Sequence, residues 1–168
     1  MLRLIVMRHA KSSWKNPYLP DHDRPLKKRG VSDSSKMALR LFNSTDWRPT
    51  SVYSSTATRA AQTRDLWLQS WTEHGGMVPE CSFHPNLYFG GTRSFLSLMQ
   101  HCEPTEIPMF IGHNPDIEEL LLFLAGEHLQ ITTANIALLE HSAQSFGQAL
   151  GGRTWSVVDV LRPRPPRS

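Results

Sequence analysis

Short apolar runs typical of buried strands alternate along this chain with segments whose apolar residues recur at helical spacing. The apolar runs predict strands at 2–7, 51–54, 81–83, 107–111, 136–139 and 155–161. Helical spacing predicts helices over about 31–42, 57–71, 95–99 and 117–124. Strands that alternate with helices favour an α/β layer fold whose central sheet is mainly parallel.

Length and charge indicate one folded domain followed by a basic tail. A chain of 168 residues is of ordinary size for a single domain, and residues 1–161 hold all the predicted elements. The Pro- and Arg-rich segment 162–168 has the composition of a disordered tail. Its three arginines account for the whole formal net charge of +3, so residues 1–161 are neutral. The sequence pI of 9.1 therefore does not indicate a nucleic-acid-binding face.

The cysteines and the lengths of the apolar runs exclude several classes of protein. Cys81 and Cys102 are too few for a disulfide scaffold and lack the spacing of a zinc site, so both are expected as reduced thiols. No apolar run approaches the ~20 residues of a membrane-spanning helix. The apolar start leads directly into Arg8-His9 without a cleavage site, which indicates a strand and not a signal peptide. The expected location is the cytoplasm, with no membrane partner.

Histidines and arginines follow the predicted strands where an α/β sheet binds its ligands, at the carboxyl ends of parallel strands. Arg8-His9 closes the first strand, and Gly112-His113-Asn114-Pro115 closes the strand at 107–111. The segment 54–59, which ends at Arg59, follows another strand and opens a helix, whose free N–H groups suit an anion. We expect these three segments to meet at one edge of the sheet.

Two arginines and two histidines at one site favour phosphoryl transfer through a phosphohistidine. Guanidinium groups bind phosphate oxygens in pairs and keep their charge. A neutral imidazole beside them can attack phosphorus as a nucleophile. The polar turn Asp21-His22-Asp23 lacks the ligand spacing of a metal site, and we expect neither a metal nor a cofactor.

Several motifs resemble the histidine phosphatase superfamily, which includes the cofactor-dependent phosphoglycerate mutases. Arg8-His9-Ala10 resembles its first signature, and residues 7–14 followed by the Asp21-x-x-Arg24-Pro-Leu stretch look more specifically like the SixA-type phosphohistidine phosphatases. Segments 54–63 and 112–115 match the places of the second arginine and the second histidine, and 132–135 resembles a T-x-A stretch before a late strand. The resemblance covers nearly the whole chain in order. It implies a three-layer α/β/α sandwich of the phosphoglycerate mutase type.

The resemblance implies a role for each matching residue. His9 is expected to be the nucleophile that becomes transiently phosphorylated. The residues expected to bind the phosphoryl group are Arg8, Arg24, Arg59, His113 and, less directly, Asp21. Among them Arg8, Arg59 and His113 are also expected to stabilise charge in the transition state.

One departure from the wider superfamily bears on the substrate. Phosphoglycerate mutases and many members that release alcohols carry a glutamic acid after the helix of the second arginine. The corresponding stretch here, 85–90, has no carboxylate, while Glu80 and Asp21 stay open as candidate acids. A positioned acid accelerates the release of a poor leaving group by ~10²–10⁴-fold. Because an imidazole leaves a phosphoramidate with less help than an alkoxide needs, the stretch favours a phosphohistidine substrate.

Three functions stay open from the sequence. The favoured one is metal-independent hydrolysis of phosphohistidine on a partner protein. The second is a small-molecule phosphomonoesterase or mutase that acts on a phosphorylated metabolite with the same centre. The third is a module that binds phosphorylated ligands without turnover, against which the intact set of arginines and histidines argues.

Trp14 follows the loop that begins at Arg8-His9. Its side chain is expected either to line the mouth of the pocket or to pack locally.

Overall fold

Six strands form one sheet in the computed structural model, which describes residues 1–165. In chain order the strands are β1 (Leu2–Arg8), β2 (Ser51–Ser55), β3 (Glu80–His84), β4 (Pro108–Gly112), β5 (Ile136–His141) and β6 (Ser156–Leu161). They lie side by side in the order β3-β2-β4-β1-β5-β6. The first four strands are parallel, and β5 runs antiparallel to both of its neighbours. The predicted, mainly parallel sheet is therefore confirmed, with β5 as the reversed strand.

Helices cover both faces of the sheet. They are α1 (Lys28–Ser44), α2 (Thr58–Glu73), α3 (Thr92–Met99) and α4 (Asp116–Ala125). Alternate side chains of β1 enter opposite cores: Leu4 and Val6 pack on the side of α3 and α4, and Ile5 and Met7 on the side of α1 and α2. Because both faces of β1 are buried, its sequence is a continuous apolar run. The predicted three-layer α/β/α sandwich is confirmed.

The ends of several elements differ from the prediction. Helix α1 begins at Lys28 instead of near residue 31, and the region around Trp155 is not yet strand. The Trp155 ring is buried in the core, where its Nε1 donates to the Ala149 carbonyl oxygen at 2.7 Å. The structure also contains 3₁₀ turns that periodicity did not predict, because three or four residues are too short to show a period: Asp21–Asp23, Pro85–Leu87 and Phe146–Ala149.

The segment 162–168, which composition assigns to a tail, lies partly within the described residues. Arg164 donates from both guanidinium ends to the carboxylate of Asp33, at 2.8 and 3.0 Å. Asp33 lies on α1 and is almost fully buried, so this ion pair joins the segment to the body of the domain. Residues 166–168 lie outside the described part. Among residues 1–165 no helix is long and apolar enough to cross a membrane.

Candidate active site

The carboxyl ends of β1 and β4 bring two histidines together. The two strands pair in parallel, with Arg8 opposite Gly112, so the residues that follow them leave the sheet at the same edge. The His9 backbone N–H donates to the Gly112 carbonyl oxygen at 3.0 Å, and the Ala134 N–H donates to the carbonyl oxygen of His9 at 3.1 Å. The rings of His9 and His113 have centroids 5.0 Å apart. The sequence-predicted meeting of these segments is thus present in the structure.

His9 is a buried, neutral imidazole that carries its proton on one ring nitrogen and its lone pair on the other. Its Nδ1 lies 2.7 Å from the Ala10 carbonyl oxygen, and because a carbonyl only accepts, Nδ1 carries the proton. The lone pair therefore lies on Nε2, where it accepts a hydrogen bond from Arg59 Nε at 3.3 Å. Burial, with a smaller contribution from the neighbouring arginines, lowers the pKa of His9 to about 3, although the hydrogen bond to the Ala10 carbonyl oxygen acts in the opposite direction.

The arginines surround this imidazole from three segments. Arg59 lies in the first turn of α2 and is 2% exposed, and Arg24 is 6% exposed. Arg24 donates to Ser12 Oγ at 2.8 Å. Arg8 donates from one terminal nitrogen to the Ile131 carbonyl oxygen at 3.0 Å, and its buried Nε has no partner among residues 1–165. The buried guanidinium groups of Arg24 and Arg59 and the half-buried one of Arg8 thus lie around His9, an arrangement suited to an anion with several oxygens.

Asp21 is the counter-ion of two of these arginines. Its carboxylate accepts from Arg24 Nε at 3.1 Å, from Arg59 at 3.0 Å and from the Tyr88 hydroxyl at 2.6 Å. Burial alone would raise the pKa of Asp21, but the hydrogen bonds from Tyr88, Arg59 and Arg24 outweigh it and lower the pKa to about 2. An ionised Asp21 holds no proton to give, so the hypothesis that it serves as the general acid is not supported.

Glu80, the other acid that the sequence left open, lies at the wrong end of the sheet. It pairs with Ser51 at the start of β2, whereas the site follows the far end of β2, beyond Ser55. Four residues of strand separate the two ends by about 13 Å. Glu80 is also exposed. It therefore lies away from the histidines and cannot protonate a leaving group there.

Tyr88 and Phe89 contact the site from the stretch that contains no carboxylate. The Phe89 ring lies 5.1 Å from the His113 ring, and the Tyr88 ring lies 5.4 Å from it. His113 is 1% exposed, and its Nε2 lies 2.8 Å from Ser55 Oγ. Burial, together with His9 and Arg59, lowers the pKa of His113 to about 2. The sequence assigned no role to Tyr88, Phe89 or Ser55, because only chain folding brings them to His113.

Two segments form the rim of the site: the turn Asp21–Asp23 and the loop after β1 that contains Trp14. Within residues 1–165 no group of three or more His, Cys, Asp or Glu side chains could hold a metal ion. The His22 ring contacts Thr56, with Nε2 2.9 Å from the hydroxyl oxygen. The Trp14 ring lies 3.5 Å below the guanidinium carbon of Arg24, yet Trp14 is 71% exposed. Both alternatives for Trp14 thus apply in part, because it packs on a site arginine and faces solvent.

The fold and the site define an α/β protein in which a neutral imidazole lies among arginines, an arrangement suited to a phosphoryl group. The comparisons agree. The sequence pattern of the histidine phosphatase superfamily (branch 1) matches residues 4–75. An uncharacterized chloroplastic protein of Arabidopsis thaliana is 34% identical over 172 residues, which cover 96% of this chain and 78% of that protein. The chain belongs to the histidine phosphatase superfamily and is a phosphatase.

Solved structures share this fold over almost the whole chain. A protein of Agrobacterium tumefaciens provisionally named phosphohistidine phosphatase SixA is 26% identical, with a TM-score of 0.78 over 96% of this chain and 98% of that one. A protein of Escherichia coli provisionally named alpha-ribazole-5'-P phosphatase is 14% identical, with a TM-score of 0.72 over 97% and 98% of the two chains. The second likeness concerns the fold alone.

Asp21→Asn is expected to tighten the binding of inorganic phosphate about threefold to tenfold. The ionised carboxylate occupies the two arginines and repels an arriving phosphate, and the amide keeps its shape without the charge. Isothermal titration with phosphate measures the change. Asp23→Asn is the matched control, since that neighbouring carboxylate is exposed and contacts His22 instead of the arginines. Weaker phosphate binding in Asp21→Asn would show that Asp21 serves to position the arginines and does not compete.

The pH dependence of turnover is expected to lack an acid limb near the ordinary histidine pKa of 6.5. In its expected role as nucleophile, His9 attacks only while it is neutral, and the ring stays neutral until the pH falls toward its pKa of about 3. The loss of activity should therefore come well below pH 6. The measurement is kcat/KM for 4-nitrophenyl phosphate from pH 4 to pH 8, corrected for ionisation of the substrate. Circular dichroism at each pH separates unfolding from titration, and a half-maximal rate near pH 6.5 in folded protein contradicts the expectation.

Proposed function

We propose that this phosphatase hydrolyses phosphohistidine on a partner protein, as a SixA-type enzyme. The observation that carries the proposal is that the groups described around His9 and His113 include no carboxylic acid that could donate a proton. Tyr88 and Phe89 contact His113 from the stretch that resembles the acid-bearing segment of alcohol-releasing relatives, and Asp21 is held ionised by Arg24 and Arg59. No carboxylic acid in this set can protonate a leaving alkoxide. A leaving imidazole accepts a proton from water more readily, so the site is suited to a phosphoramidate bond.

The first half of the reaction moves the phosphoryl group to His9. The Nε2 lone pair attacks phosphorus as the phosphorus–nitrogen bond of the substrate breaks, and the departing imidazole keeps the bonding pair and takes a proton from solvent. Before attack, Arg59 Nε must leave this lone pair and donate to a phosphoryl oxygen instead. The arginines and His113 then neutralise charge on the three oxygens in the transition state.

The second half of the reaction regenerates the enzyme. A water oxygen forms a bond to the phosphorus of phospho-His9, the bond to Nε2 breaks, and the pair returns to the nitrogen. The water gives up one proton to solvent or phosphate, and inorganic phosphate leaves. The Ala10 carbonyl oxygen keeps Nδ1 protonated throughout, so that Nε2 is the reacting atom in both halves.

The rim of the site supports access for a protein surface. Trp14, Tyr18 and Phe89 are large apolar side chains that are 71%, 93% and 48% exposed. Trp14 packs on Arg24 and Phe89 packs on His113, so both stand at the edge of the phosphate site. Exposed aromatic side chains around a site are typical of surfaces that bind another protein.

A leaving-group series tests the proposal. We expect a phosphohistidine protein to be hydrolysed with a kcat/KM at least about 10²-fold above that of alkyl phosphates such as phosphoglycerate and sugar phosphates, because those need an acid. 4-Nitrophenyl phosphate, with its good leaving group, should fall between them. Equal or faster turnover of a phosphorylated metabolite favours the small-molecule alternative. Phosphate binding without any release from the whole series favours the non-catalytic module.

A further inference from the structure

The two ring nitrogens of His113 differ in their hydrogen bonding. Its Nε2 lies 2.8 Å from Ser55 Oγ, and its buried Nδ1 has no hydrogen-bond partner among residues 1–165. The ring is 1% exposed, so water does not readily supply the missing partner. A buried polar atom without a partner destabilises the folded protein, and a ligand that satisfies it explains such an atom in a native site.

The hydrogen bonds of Ser55 decide which ring nitrogen carries the proton. Ser55 Oγ accepts a hydrogen bond from the Ala57 backbone N–H at 3.2 Å. The hydroxyl proton then needs an acceptor, and within the described residues the group in reach is Nε2 of His113. If Nε2 were protonated instead, the Ser55 hydroxyl proton and the His113 Nδ1 lone pair would both be buried without partners. The arrangement with the proton on Nδ1 leaves one donor unpaired, and a phosphoryl oxygen can accept from it.

We propose that Ser55 is a positioning residue that fixes His113 as the Nδ1–H tautomer, so that the ring donates Nδ1–H to a phosphoryl oxygen. Ser55, the last residue of β2, thereby has a role in the reaction as well as connecting the strand to the segment that contains Arg59. It rests on the proposed function only in that His113 holds a phosphoryl oxygen. Because the depressed pKa of His113 keeps the ring neutral, its tautomer decides whether Nδ1 or Nε2 is the donor.

Nitrogen NMR of the histidine rings tests the tautomer directly, without any substrate. In ¹⁵N-labelled protein, with the His113 signals assigned by their loss in His113→Gln, we expect a protonated Nδ1 and an unprotonated Nε2 at neutral pH. Titration with inorganic phosphate should shift the Nδ1–H signal as it finds its acceptor. A ring protonated at Nε2, or at both nitrogens, overturns the proposal. These spectra are independent of which phosphorylated substrate the enzyme prefers, so failure of one proposal leaves the other intact.

Matched variants on β2 separate positioning from packing. Ser55→Ala should mix the two His113 tautomers and lower kcat for 4-nitrophenyl phosphate by about 10- to 100-fold with little change in KM. Ser55→Thr keeps the hydroxyl and should restore the Nδ1–H tautomer. Ser54→Ala is the control, because Ser54 is equally buried but donates to the Ser55 carbonyl oxygen and not to the ring. If Ser55→Ala lowers the rate while the tautomer stays unchanged, the role of Ser55 is structural and the proposal is wrong.

Discussion

His9→Ala is expected to abolish turnover, with kcat reduced by about 10⁴-fold or more. Nε2 of His9 supplies the buried nitrogen lone pair that Arg59 contacts, and among residues 1–165 no neighbouring group replaces it in this role. His113 cannot take over, because its Nε2 is engaged by Ser55. Steady-state release of phosphate from a phosphohistidine protein measures the loss. The same variant should also fail to acquire the acid-labile phosphate that rapid quenching is expected to trap on the wild-type chain.

His84→Ala is the matched control for this experiment. His84 also ends a parallel strand, but its ring packs on Tyr53 and bonds to Ser82 outside the histidine pair. It should leave both the rate and the trapped phosphate within about twofold of the wild type. Phosphate trapped at an undiminished level on His9→Ala would place the nucleophile elsewhere and end the assignment. Intact phosphate binding in His9→Ala, measured by titration, shows that the clamp survives the substitution.

The layer order of the fold could be predicted because buried strands and amphipathic helices have different periods. The run from Leu2 to Met7 is apolar at every position except Arg3, which indicates a strand covered on both faces. The direction of β5 could not be predicted in this way. A strand has the same side-chain period in either direction, so the connection through 126–135 and not the strand sequence determines that β5 runs against β1.

The candidate site was predictable where its residues directly follow strands and not where loops return to it. Arg8-His9, Arg59 and His113 lie at carboxyl ends of strands or at a helix start, positions that the strand pattern alone brings to one edge. The pairing of Asp21 with two arginines depends on a 3₁₀ turn of three residues, and its approach to Tyr88 spans 67 positions of sequence. Such contacts leave no local pattern in the chain, and the same holds for the Arg164–Asp33 pair.

Arg59→Ala is expected to lower kcat/KM by about 10³-fold. Removing a single preorganised donor from a dry site costs about 10²–10³-fold, and Arg59 supplies several donors from a side chain that is 2% exposed. Arg59→Lys should recover only part of the loss. Three groups now accept from one planar fork, namely His9 Nε2, the Asp21 backbone oxygen and the Asp21 carboxylate, and a lysine ammonium cannot match that spacing. Steady-state kinetics with a phosphohistidine protein measure both variants.

The pH profile of Arg59→Ala distinguishes loss of the clamp from general damage to the site. The positive charge of Arg59 helps to lower the pKa of His9, after burial. Its removal should raise that pKa and move the acid limb of kcat/KM upward, whereas a disordered site would only lower the rate. Arg64→Ala is the control on the same helix, because its guanidinium lies over Phe83 and pairs with Asp65 away from the histidines. If kcat/KM of Arg59→Ala falls by less than tenfold and the acid limb stays at the same pH, Arg59 does not influence the reacting Nε2 of His9.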